Sequence, residues 1–213
     1  KRTDVIKLKK MLSYNPALTI HAPFMDLSPG AVDQQVRDIT TKRFSDVIDF
    51  AGILGSSVVV FHSGYDKWKF AGRVDIWLEG SLTTWGAVKK KAEDLGVRIA
   101  IENIFEDDPT HLKLLMEELK SDSFGLCFDA GHFNLFSRLP LSDWISMIKP
   151  YILELHLHDN LQDADSHLPI GDGNFDFKSL FEQLKGTDCV YTIEAHSIGD
   201  VQKSIERLKS YLK

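Results

Sequence analysis

Six short runs of β-branched or otherwise apolar residues recur along the chain: ALTIHAPF (17–24), SVVVFHSG (57–64), VRIAIENI (97–104), FGLCFDAGH (124–132), YILELHLHDN (151–160) and CVYTIEAH (189–196). Each is too short for a typical helix and is predicted to be a strand. Helical patterns lie between them. Ser28 and Pro29 suit the start of a helix whose apolar face would comprise Val32, Val36, Ile39, Val47 and Leu54, with Gly55 as its stop. Asp108 and Pro109 repeat the start signal before HLKLLMEELK, Gly96 closes AVKKKAEDL, and DFKSLFEQLKG and VQKSIERLKSYLK complete the series. The lysines 89–91 are expected on a solvated helix face.

Strand alternating with helix implies a parallel sheet, either a closed β/α barrel or an open doubly wound sheet. A dinucleotide fold lacks its main sign, because no glycine-rich phosphate loop follows the first strand. Alternation sends residues two apart to one face. One face then carries Thr19 and His21; Val60 and His62; Ala100 and Glu102; Cys127 and Asp129; Glu154, His156 and His158; Thr192, Glu194 and His196. In all six strands a residue able to bind metal falls on that face near the C-terminal end, where a barrel places its active site. Carboxylates there carry a large desolvation cost unless a cation or proton compensates. The expected fold is a (β/α)8 barrel forming a single domain over residues 1–213. Six strands are fewer than the eight of that barrel, and the chain opens on an amphipathic helix, VIKLKKMLSYN, so its first one or two strands are expected to be missing.

Charge and cysteine usage narrow the chemistry. Twenty-five basic against 31 acidic residues give a net charge of -6, which weighs against a broad nucleic-acid-binding surface. Cys127 and Cys189 lie in apolar runs without CxxC spacing, so neither a disulfide framework nor a thiolate zinc site is expected, and a reducing cytoplasm fits. No apolar run reaches the roughly 18 residues of a membrane span. Imidazole and carboxylate without thiolate suit zinc first, with Mn, Fe or Co as alternatives.

The motifs HAPF, FHSG, IEN, FDAGH, HLHDN, DSHLPIGDG and IEAH, in that order, resemble the xylose isomerase-like barrel superfamily, which includes endonuclease IV (AP endonuclease family 2) enzymes and sugar or sugar-phosphate isomerases and epimerases. The resemblance implies that Glu102, Asp129, His156 and Glu194 hold a divalent metal, with the two glutamates as acid and base in the isomerase branch. Resemblance to endonuclease IV adds His21, His62, His132, Asp165 and His167 as ligands, for up to three zinc ions, with His132 counted among the catalytic groups. His158, Asp159, His196, Phe24 and Lys67 are candidates for meeting substrate or orienting a ligand. The last belongs to YDKWKFAGR (65–73), where Lys67, Lys69 or Arg73 would meet a phosphate.

The substrate expected is a small phosphorylated or phosphodiester-linked sugar. Phosphodiester hydrolysis at a multinuclear site leads on ligand count. Isomerisation or epimerisation at a single metal is the alternative, and a non-catalytic sugar-binding barrel the second. Duplex DNA is disfavoured by the acidic chain and the absence of interleaved basic and aromatic loops.

Overall fold

The computed structural model describes residues 2–212. The helices are α1 (Arg2–Met11), α2 (Gln34–Leu54), α3 (Val74–Asp94), α4 (Thr110–Leu119), α5 (Ala130–Phe136), α6 (Leu141–Ile148), α7 (Phe177–Gln183) and α8 (Ile198–Tyr211). The strands are β1 (Thr19–His21), β2 (Val58–His62), β3 (Arg98–Glu102), β4 (Phe124–Asp129), β5 (Ile152–Leu157) and β6 (Val190–Ile193). They follow one another in the sheet in chain order. The chain divides into two compact units: residues up to Ile101 with Leu114–Gly125, and Glu102–Lys113 with the residues from Leu126 onward.

In the first unit β1 pairs in parallel with β2, His21 lying opposite Val60. The run VVVF of β2 is buried throughout, as expected of a strand covered on both faces. Phe44 of α2 stacks on Trp85 of α3 at 5.1 Å between ring centroids, and Phe61 of β2 meets the same indole edge-on. The structure places the start of α2 later than the Ser28–Pro29 signal suggests. Asp33 is the cap, its side chain accepting from the Gln35 N–H at 2.7 Å. Ser28, Pro29, Gly30 and Ala31 instead form a buried loop. Thr84 Oγ1 donates to the Pro29 carbonyl at 2.8 Å, and Gly30 lies so close to Trp77 that a Cβ there would overlap the indole. A Ser-Pro pair reads as a helix start only where its own backbone turns into a helix; here packing against α3 claims it. Val32, Val36 and Ile39 are exposed, and the buried face is Thr40, Phe44, Val47, Ile48 and Ala51. Gly55 ends α2 at φ +80, a conformation open to glycine at no steric cost.

In the second unit β4, β5 and β6 pair in parallel, placing Asp129 opposite His156 and His156 opposite Thr192. The sequence DAGH, predicted as the end of a strand, turns directly into α5. Asp129 caps that helix by accepting the His132 N–H at 2.7 Å. Phe128, Trp144, Phe177 and Leu180 are buried around this sheet. The strands are shorter than the apolar runs that predict them, because the last residues of each run pass into the following loop or, in FGLCFDAGH, into α5. Among the described residues no helix is long and apolar enough to cross a membrane.

Candidate metal centre

Each strand presents its chemistry at its C-terminal end. In the first unit His21 ends β1 and His62 ends β2, with ring centroids 5.1 Å apart. His21 Nδ1 lies 2.9 Å from the Ala22 carbonyl, which can only accept, so Nδ1 carries the proton and Nε2 keeps its lone pair. Phe24 stacks on His62 at 4.1 Å. Lys67 is half-buried in the loop before α3. Its neighbour Lys69 donates to Ser28 Oγ at 2.7 Å, and Trp68 at the same turn is 85% exposed.

The second unit gathers the larger set. Glu102, Asp129 and His156 each offer a ligand atom within 4.8 Å of the others, and all three are buried. His156 Nδ1 faces Glu194 Oε1 at 3.2 Å, Glu102 Oε1 at 3.4 Å and Asp129 Oδ2 at 3.8 Å. Glu194, just beyond β6, retains 25% side-chain exposure. So one imidazole nitrogen looks at three carboxylates, one of which is open to solvent.

Two further groups adjoin it, Asp129 with His132 and His158, and His158 with Asp165 and His167. His132 Nδ1 lies 3.0 Å from the Asn103 carbonyl, to which it can only donate, and Nε2 faces Asp165 Oδ2 at 3.5 Å. His158 is fully buried and its Nε2 lies 3.1 Å from both oxygens of Asp129. Its Nδ1 has no hydrogen-bond partner and stands 3.7 Å from Asp165 Oδ1. The His158 ring stacks on His167 at 4.0 Å, and the exposed His196 ring is 5.0 Å from His167.

The loop bearing Asp165 and His167 is organised by Asp159. Its Oδ1 accepts the N–H groups of Asn160 and Phe175, and its Oδ2 those of Gly171 and Gly173. Asp159 and Leu168 also form an antiparallel bridge, beside which His167 adopts φ +46. A fully buried carboxylate with four backbone donors is not available to substrate, which removes that role for Asp159. Gly173 is required because a Cβ there would overlap the Asn160 carbonyl.

Electrostatics follow from this crowding. Burial alone would lower the His132 pKa, but hydrogen bonding to Asp165 and Glu102 pushes it up to about 11. His156 is raised well above its ordinary value, its burial being outweighed by contact with Cys127 and by the Glu102 and Glu154 carboxylates. Asp165 is held well below the usual carboxylate range by hydrogen bonds from His132 and His167. The chain thus draws positive charge into the site. Desolvating a carboxylate costs several kcal/mol per ion unless compensated, more than neutral hydrogen bonds return. A divalent cation fits the donor set of imidazole nitrogen and carboxylate oxygen, with zinc, manganese, iron and cobalt all compatible.

Two residues important to this geometry carry no assignment from the sequence. Asn103 Nδ2 donates to the Asp129 carbonyl at 3.0 Å and its Oδ1 accepts the Asp129 N–H at 2.9 Å, clamping that backbone as a neighbouring strand would. Its signal is its place directly after Glu102 in IEN. Glu154 is fully buried on the inward row of β5, two residues before His156, and was legible by alternation alone.

Gly131 offers a steric test of the site. A Cβ there would overlap the His158 imidazole. Gly131→Ala is expected to cost about 1–3 kcal/mol by overpacking, read as a lower urea midpoint. An unchanged midpoint would show that His158 yields freely.

Comparison with known proteins places this geometry. The family model described as xylose isomerase-like TIM barrel matches residues 2–211. The protein MJ1311 of Methanocaldococcus jannaschii is 34% identical over 209 residues, covering 94% of this chain and 71% of that protein. The crystal structure of a D-tagatose 3-epimerase-like protein superposes with a TM-score of 0.89 at 32% identity, covering all of this chain and 83% of that one. The TTHB071 protein from Thermus thermophilus, in a structure obtained by soaking with ZnCl2, gives a TM-score of 0.78 at 29% identity over 97% of this chain and 81% of that one. The fold is that of a TIM barrel, six of whose strands lie among the described residues, and the chain belongs to the xylose isomerase-like TIM-barrel family.

Proposed function

We propose that the protein is a divalent-metal-dependent sugar isomerase or epimerase. The observation that carries this reading is the set Glu102, Asp129 and His156 within mutual ligand distance, with Glu194 facing the same His156 nitrogen. The likeness to a D-tagatose 3-epimerase-like protein supports it, and the ZnCl2-soaked Thermus relative supports a divalent ion. Phosphodiester hydrolysis, the leading expectation from ligand count, receives no support from these relatives.

A divalent ion on these four side chains would supply positive charge for two adjacent oxygens of a carbonyl sugar and for the negative charge that develops beside the carbonyl. The remaining chemistry is the chain's own. One of Glu102 and Glu194 takes the proton from the carbon next to the carbonyl, and the electron pair moves onto the carbonyl oxygen. The other returns a proton to the carbon skeleton, giving an epimer when it meets the same carbon from the opposite face. Glu194 is the solvent-accessible member of the pair and Glu102 the buried one. Asn103 holds the Asp129 backbone, and His158 holds its carboxylate.

The groups formed by His132, His158, Asp165 and His167 favour a second reading, since they offer ligands beyond those that one ion requires. Metal content separates the two. One ion per chain by elemental analysis, with interconversion of ketose epimers or an aldose–ketose pair in a sugar screen, is the expected result. Two or three ions with cleavage of phosphodiesters and no sugar interconversion would replace it by hydrolysis.

A further inference from the structure

We infer that Glu154 is a positioning residue for the central metal, holding the His156 ring so that Nδ1 is its ligand nitrogen; this rests on the metal-site reading above. His156 Nδ1 faces Glu102, Asp129 and Glu194, while Nε2 on the far side of the ring faces Glu154 Oε1 at 3.6 Å. The two nitrogens of a ligating imidazole have opposite jobs: one gives its lone pair to the metal and the other donates a proton to an acceptor that fixes the tautomer. Glu154 Oε1, at 3.6 Å just beyond hydrogen-bond distance, stands on the side where that acceptor belongs.

Its own placement is determined by its neighbours. Glu154 lies opposite Cys127 on β4 and Val190 on β6, one inward step below the level of Asp129 and His156. Thr192 Oγ1 donates to Glu154 Oε1 at 2.6 Å, fixing the same oxygen that meets the histidine. Glu154 Oε2 is buried without a hydrogen-bond partner. An uncompensated buried carboxylate oxygen is costly to retain. The cost is understandable if the negative charge acts through His156 on a cation above it. Cys127, the other neighbour of the ring, offers only a sulfur, a weak acceptor beside a carboxylate oxygen.

The test measures zinc alone, by competition with a chromophoric chelator, on the wild-type chain, Glu154→Gln and Thr192→Val. Glu154→Gln keeps the side-chain volume and is expected to weaken zinc binding by about 10- to 100-fold, the range typical of lost partners behind a metal ligand. Thr192→Val, which frees Glu154 without removing it, is expected to weaken binding less, by roughly several-fold. In 15N-edited spectra of the zinc-loaded proteins the His156 Nε2 proton is expected downfield in the wild type and shifted upfield in Glu154→Gln. A merely structural role would not move that resonance. Zinc affinity within about twofold of wild type in a folded Glu154→Gln, or an unmoved Nε2 resonance, overturns the inference and leaves the metal site standing. If Glu154→Gln does not fold, equal affinity of Thr192→Val and wild type overturns it. Absence of zinc binding by the wild type overturns both readings.

Discussion

Asp129→Ala is expected to lose metal and about 3–5 kcal/mol of stability together, the largest effect of any single change in the site. Three duties end at once. The cap of α5 goes, worth about 1 kcal/mol. The fully buried His158 Nε2 loses its acceptor, and a buried donor so stranded costs about 1–3 kcal/mol. The third carboxylate facing His156 Nδ1 goes as well. Asp129→Asn separates these duties, since its amide oxygen still caps the helix while the charge is lost. It should therefore recover part of the stability in urea denaturation and little of the zinc bound. A stability for Asp129→Ala within about 1 kcal/mol of wild type would contradict the central place given to this carboxylate.

Glu194→Gln is expected to reduce sugar interconversion by about 10²- to 10⁴-fold, the usual contribution of a positioned acid or base. Gln keeps the length and an oxygen for the ion but cannot accept a proton from carbon. Of the two glutamates, Glu194 is the one in contact with solvent, so its loss also ends exchange between solvent and the sugar C–H. The measurement is deuterium incorporation from D2O into the sugar, followed by NMR beside turnover and zinc content. Wild-type incorporation at an unchanged rate in Glu194→Gln would remove this residue from the proton transfer. Loss of zinc in the variant would mean that its ligand role dominates.

Strand alternation was the most informative feature of the sequence. It puts Glu102, Asp129, His156 and Glu194 on one face at successive strand ends without any knowledge of packing, since a period of two follows from strand geometry. Helix ends were less legible. Ser28 and Pro29 carry the chemistry of a start, but packing of Gly30 and Pro29 against α3 draws them into a buried loop, and Asp33 takes over the cap. Local signals compete there with contacts distant in sequence.

The stretch around His156 divides the two kinds of information. The residue types and the alternation of LELHLHD determine that Glu154, His156 and His158 share a face, and that short-range rule is set by the backbone. Only the tertiary structure decides their different fates. Glu154 faces His156 Nε2, His158 turns Nε2 onto Asp129, and Asp159 is consumed by four N–H groups of the loop that brings Asp165 and His167 back. Those assignments depend on which donors and acceptors meet across gaps of 29 residues between His158 and Asp129 and 38 between Glu154 and Thr192. Burial makes each such pairing costly to leave unmet, and that requirement acts only once the chain has folded.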